Sequence, residues 1–185
     1  MNAQHETDNH LSLHEALQEL SVDDAAIASQ SDLSTELLRL DEFDMKLALK
    51  IATFAHHGQF DKSGADYIHH PMRVAETIEG FPRKIVAILH DTVEDYSEPQ
   101  FMQTMLEVLF PAEIVAAVLA ISRVPNESSE AYYARVKANP LALSVKIADL
   151  LDNSDPQRLE KLDLQTRTRL EEKYASALKS IMKSE

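Results

Sequence analysis

Cysteine is absent from the 185 residues, which excludes disulfides, thiolate metal sites and cysteine nucleophiles. Glycine occurs only three times, too few for a Gly-rich phosphate loop or a many-turned β fold. The longest unbroken apolar run, Ile114 to Ile121, is far short of the roughly 20 residues a membrane helix needs, so no membrane partner is expected. The first thirty residues are polar and acidic and read as no signal peptide; with the lack of cysteine this suits a cytoplasmic protein. Positive charge is also scarce, 18 Lys and Arg against 31 Asp and Glu, for a net charge of −13. Nucleic-acid coating draws its affinity from Lys and Arg, so a nucleic-acid partner is excluded. At face value the same figure argues against a polyphosphate substrate.

The charge is unevenly placed. Residues 1–45 hold eleven acids and one base, and residues 46–185 hold twenty acids and seventeen bases. Residues 1–40 read as an acidic extension with scattered leucines and two short amphipathic stretches, Leu11–Leu20 and Leu33–Leu40. Its histidines (His5, His10, His14) have no partner at a repeated helical spacing and form no metal site. Residues 41–185 are long enough for one domain with its own core. The pattern fixes no oligomeric state.

From Asp41 onward the period is helical. Leu47, Ile51, Phe54 and Ala55 mark a first helix, a break follows at Gly58–Gly64, and Pro71 sits in the first turn of the next. Gly80–Pro82 ends that helix, and Lys84–Asp95 reads as a third, central one. Further helices fit Glu98–Leu109, Pro111–Ser122, Ser128–Ala138, Leu141–Asn153 and Leu164–Ile181. No stretch alternates cleanly as a strand, so the fold class is all-α.

The third helix carries the densest chemistry. Five apolar residues (Ile85 to Leu89) run straight into His90-Asp91-Thr92-Val93-Glu94-Asp95. A His-Asp pair alone arises by chance about 0.6 times in this composition, but with Glu and Asp at the following fixed positions roughly 0.004 times. Two like charges about 4 Å apart repel by on the order of 4 kcal/mol even at an effective dielectric near 20. Acids at a helix C-terminus also oppose its macrodipole, so plain capping explains the run poorly, and a cation resolves the conflict. His90 and Glu94 are four apart, as are Asp91 and Asp95, and each pair would share a helical face. Further ligands would come from His70, just before Pro71, and Asp149, at the end of another apolar helix; His69 is the alternative to His70. Two imidazoles and two carboxylates suit manganese, iron, zinc or nickel better than magnesium or calcium. Glu94 and Asp95 are then free to handle water.

Together the blocks Ala55-His56-His57-Gly58-Gln59, Lys62-Ser63-Gly64, Tyr67-Ile68-His69-His70-Pro71, Leu89 to Asp95 and Lys146-Ile147-Ala148-Asp149 with Asn153 are similar to the hydrolase domain of RelA/SpoT-type alarmone enzymes, members of the HD superfamily of metal-dependent phosphohydrolases. The resemblance spans roughly residues 43–183 and implies the all-α HD bundle. It implies Mn²⁺ on His70, His90, Asp91 and Asp149, with Glu94 and Asp95 activating water. Asn153 and Lys62 would bind a small nucleotide substrate. The chain ends where bifunctional relatives begin a synthetase domain, so it looks like a stand-alone small hydrolase. The implied reaction removes the 3′-pyrophosphate from (p)ppGpp. The alternatives are (p)ppApp, the 2′-phosphate of NADPH, simple nucleotides, or a catalytically silent nucleotide-binding regulator. Asp61 stands where the family usually has a basic residue that helps hold guanine, which leaves the base open. Asp66 replaces a proline, Leu150 an arginine, and the following motif is Asp152-Asn153-Ser154-Asp155.

Four other features carry a structural expectation. His56 reads as a hydrogen-bonded core histidine. Tyr132, Tyr133, Arg135 and Lys137 read as a solvated helix face, Lys146 as paired with an acid or a phosphate, and Arg158 to Lys183 as an amphipathic stretch packing on the domain.

Overall fold

The computed structural model describes residues 37–182. The three N-terminal histidines, the stretch Leu11–Leu20 and residues 33–36 of Leu33–Leu40 lie outside the described residues.

A capping box starts the first helix, α1 (Glu42–Ala55): the Asp41 carboxylate accepts the amides of Phe43 and Asp44, and Asp44 reaches back to the Asp41 amide at 3.0 Å. Gly58, at φ +74°, turns the chain out of α1 into a loop. One carboxylate braces that loop, because Asp61 Oδ1 accepts the Ser63 amide (2.8 Å), the Ser63 hydroxyl (2.7 Å) and the Ala65 amide (3.1 Å). Helix α2 (His69–Glu76) has Pro71 in its first turn, and Gly80 at φ +84° separates it from α3 (Phe81–Leu89). Helix α3 therefore begins at Phe81, three residues before the expected start at Lys84, and Pro82 lies inside its first turn. Among the described residues there is no strand beyond an isolated bridge between Phe60 and Asp66.

The long helix expected over Lys84–Asp95 is two helices. It ends at Leu89, and α4 (Thr92–Asp95) follows after a break at His90-Asp91. The cause is local competition for carbonyls. His90 Nδ1 donates to the Ala87 carbonyl at 2.7 Å, and the Thr92 hydroxyl donates to the Leu89 carbonyl at 2.7 Å. These side chains take the bonds that continuing amides would have made. Glu94 and Asp95 thus lie in the first turn of a short helix, not at the end of a long one, which removes the macrodipole conflict, while Asp95 stays one turn from Asp91, its amide donating to the Asp91 carbonyl at 2.9 Å.

The remaining elements are α5 (Pro99–Leu109), α6 (Ala112–Ile121), α7 (Ser129–Lys137), α8 (Pro140–Asn153), α9 (Pro156–Leu159) and α10 (Leu164–Met182). Helix α3 is the hub of one core, packed against α1, α2, α6 and α8, with Ile85, Val86, Ala87 and Leu89 fully buried. Burying a side chain such as Leu89 stabilises the fold by about 1.5–3 kcal/mol. A second core joins α7, α9 and α10 through Tyr132, Val136, Leu159, Leu170 and Leu178. Helix α8 belongs to both: Ala142, Val145 and Ala148 face the first core and Leu150 the second. The site lies along this shared helix.

Candidate metal centre and nucleotide pocket

Three elements converge at the break after α3. His70 comes from the first turn of α2, His90 and Asp91 from the break itself, and Asp149 from the last turn of α8. His70, His90 and Asp91 each offer a ligand atom within 4.8 Å of the others. His90 Nε2 lies 2.9 Å from Asp91 Oδ2 and 3.7 Å from Asp149 Oδ1. His70 Nε2 lies 3.1 Å from Asp149 Oδ1 and 3.8 Å from Asp91 Oδ2. His69, the alternative ligand, is exposed.

Hydrogen bonds around this ring set the tautomers. With Nδ1 donating to a carbonyl, His90 turns the lone pair of Nε2 inward, and that buried atom has no hydrogen-bond partner among the described residues. Two buried imidazoles facing two carboxylate oxygens form a site suited to positive charge, whether a proton or a metal ion, and the donor set fits a divalent transition metal. Tyr67 donates its hydroxyl to Asp91 Oδ2 at 2.6 Å. Lys146 Nζ lies 2.6 Å from Asp149 Oδ2, the expected pairing with an acid, and Asn153 donates its amide to Asp149 Oδ1.

The electrostatics follow. Burial would raise Asp149, but Lys146 and the two imidazoles outweigh it and hold the carboxyl well below the usual range. For Asp91, burial is likewise outweighed by His90. Burial alone would lower His70 and His90, yet Asp149 and Asp152 raise the first, and Asp91 and Asp149 the second. Asp95 behaves oppositely to the buried acids: loss of water and then the charges of Asp91 and Glu94 lift it to about 6.

This ring floors one end of a pocket of about 350 Å³. Glu94 lines it, and its Oε2 accepts the Arg123 amide at 2.9 Å; Asp95 is not part of the lining. Lys62, Asn153 and Arg158 also line it, with Leu150, Leu159, Leu162, Leu170 and Tyr174 as an apolar wall. Burial and the neighbouring Lys173, Arg169 and Arg158 lower Lys62.

Some expectations need correction. The Tyr132 to Lys137 segment is no solvated face: Tyr132 is buried, donates its hydroxyl to the Ile121 carbonyl at 2.8 Å, and lines the pocket with Tyr133. Arg135 pairs with Glu127 at 2.6 Å. The Arg123 guanidinium stacks 4.1 Å from the Tyr132 ring. Asp61 has its Oδ1 filled by the loop and its Oδ2 3.3 Å from Arg158, and it lines the pocket beside Lys62. His56 is buried with Nδ1 2.9 Å from Gln59 Oε1, as a core histidine should be. Tyr67, Arg123 and Asp152 are contributors that sequence reasoning missed, since a lone Tyr, Arg or Asp carries no pattern. Only its position after the Asp149 ligand marked Asp152.

No protein-family model matches the chain. Its all-α architecture is shared with solved structures. One of these is a metazoan ortholog of SpoT, described as one that hydrolyzes ppGpp and plays a role in starvation responses; it aligns over 77% of this chain and 88% of its own, with a TM-score of 0.61 and 20% identity. The likeness establishes the fold. No helix among the described residues is long and apolar enough to cross a membrane.

Proposed function

We propose that this protein is a metal-dependent nucleotide hydrolase that removes the 3′-pyrophosphate from (p)ppGpp-type alarmones. The observation that carries the reading is the meeting of two buried imidazoles, His70 and His90, with the carboxylates of Asp91 and Asp149 beside a pocket of about 350 Å³. His70, His90, Asp91 and Asp149 would hold the ion, Mn²⁺ or a related divalent metal. The metal, when bound, supplies positive charge for a phosphoryl oxygen and lowers the pKa of water.

The chain does the rest. Two carboxylates offset a divalent charge, and Lys146, locked on Asp149, adds a positive charge for the entering phosphates. Tyr67 holds Asp91 in place. Glu94, at the pocket wall, takes the proton from the attacking water, and Asp95, near neutral-pH titration, relays it. Attack at the 3′-ester phosphorus breaks the bond to the ribose 3′ oxygen, which leaves with the electron pair and receives the proton; pyrophosphate and a nucleoside 5′-di- or triphosphate result. Asn153 and Lys62 orient the nucleotide, with its base against Leu150, Leu159 and Leu162. The neighbour of the same fold, which hydrolyzes ppGpp, supports this choice of substrate.

The test is pyrophosphate release from ppGpp and ppApp by Mn²⁺-loaded protein, with phosphate release from NADPH measured alongside and Asp91→Ala as control. Turnover of ppGpp that disappears in Asp91→Ala is expected. Metal-loaded protein that turns over none of the three would reduce it to a binding module.

A further inference from the structure

Asp152 lies one turn beyond Asp149 on α8, outside the ring, and four donors converge on its carboxylate. Oδ2 accepts from His70 Nδ1 at 2.7 Å, from Arg73 Nη2 at 3.1 Å and from Arg158 Nη1, and Oδ1 accepts from Arg73 Nε at 2.7 Å. The Asp152 side chain is 8% exposed. A third acid this close to Asp91 and Asp149 would repel the other two, and the bidentate Arg73 fork with Arg158 offsets that charge where it stands.

The consequence falls on His70. With Nδ1 committed to a carboxylate, the ring has one rotamer and one tautomer, and Nε2 presents its lone pair to Asp149 and Asp91. His90 reaches the same state through a backbone carbonyl. The two imidazoles are therefore oriented by unlike partners, one neutral and fixed by the main chain, the other anionic and held by side chains from α2 and α9. A carboxylate behind an imidazole makes it a more basic and better-aimed ligand.

We propose that Asp152 is a positioning residue for the metal: it fixes the tautomer and aim of His70, while Arg73 and Arg158 offset its charge. This rests on the metal reading given above. The rival role is that of a plain staple joining α2 to α8 and α9.

The experiment measures Mn²⁺ affinity of the full chain by competition with a chelator, together with thermal unfolding of the metal-free protein. Asp152→Asn should weaken Mn²⁺ binding about 10–100-fold, with turnover largely restored at saturating metal. Arg73→Gln cuts the same staple but leaves the His70 contact; it should lower the unfolding temperature while metal affinity stays within about threefold. If Arg73→Gln weakens metal binding as much as Asp152→Asn, or if Asp152→Asn binds as tightly as wild type, the positioning role is wrong while the metal reading stands. Wild-type protein that binds no Mn²⁺ overturns both. Nitrogen-15 spectra of the imidazoles in Zn²⁺-loaded wild-type protein add a measurement that needs no variant. His70 is expected to be protonated at Nδ1 and ligated through Nε2, and the reverse assignment sinks the proposal.

Discussion

Two parts of the pocket are built differently. At the metal end, four potential ligands from α2, the α3–α4 break and α8 stand within a few ångströms, nearly all buried and each tied to a second partner. Elsewhere in the pocket, the loop that carries Lys62, the helices α9 and α10 and the turn between them supply Lys62, Leu159, Leu162 and Tyr174, an exposed cation and an apolar wall. Charge removed from water must be matched atom for atom, so the first part tolerates little variation. The second part acts through shape and screened charge, where many sequences serve equally. On the proposed function, chemistry would be concentrated at the ring and selectivity spread over the rest of the pocket.

Substitutions should separate the two parts in kind. Asp91→Ala removes a ligand and the partner of both Tyr67 and His90, and kcat for pyrophosphate release should fall by about 10³-fold, equivalent to several kcal/mol. A steady-state assay at saturating Mn²⁺ checks this; a loss of less than tenfold would place the reacting centre elsewhere. The next largest effect belongs to the second core. Leu170 is 2% exposed, and Leu170→Ala should cost about 2–5 kcal/mol of stability in chemical denaturation. If it instead changes kcat while leaving stability alone, the apolar wall belongs to the reaction rather than to the fold.

The contrast also governs what could be read from sequence. Apolar residues running into His90-Asp91-Thr92-Val93-Glu94-Asp95 form an anomaly visible without any structure, because burying those charges makes sense only with a cation. The helices around them were legible from their period. The break between Leu89 and Thr92 was not, because it depends on two side-chain bonds to carbonyls that hydrophobic periodicity does not encode. Asp152 was hidden for a related reason: its partners, Arg73 and Arg158, lie 79 residues before and 6 after it, and the loop carboxylate Asp61 joins them from 97 residues before Arg158. Long-range pairing of this kind follows from the fold and has no local signature.

Acidity offers a subtler separation. Asp95 sits at about 6 through loss of water and the charges of Asp91 and Glu94. As a base it works only when ionised, so kcat should rise as pH increases through that region; a bound dication attracts the carboxylate and moves the limb to pH 6 or lower. Asp95→Asn should remove the limb, and a pH–rate profile unchanged by that substitution would exclude Asp95 from proton transfer. The metal ring carries the opposite sign. Asp91, Asp149 and Asp152 are all held below their ordinary value, so their contribution to stability is fully present above about pH 4 and drains away as pH falls below it. Metal-free protein unfolded in denaturant should show that loss in acid, and Asp149→Asn should flatten it.

The smallest expected effect is the most discriminating. Lys62 lies on the braced loop, among Arg158, Arg169 and Lys173, and is itself exposed. A cation in that position helps hold the nucleotide in the ground state and the transition state alike, because it does not touch the phosphorus under attack. Lys62→Ala should therefore raise KM with kcat within about twofold, the pattern of lost uniform binding. Because the remaining cations still attract the nucleotide and exposed charge is screened, the rise should be about fivefold, or near 1 kcal/mol, and should shrink at high salt. A fall in kcat with KM unchanged would instead bring Lys62 to the reacting phosphate and place the nucleotide in the pocket the other way round.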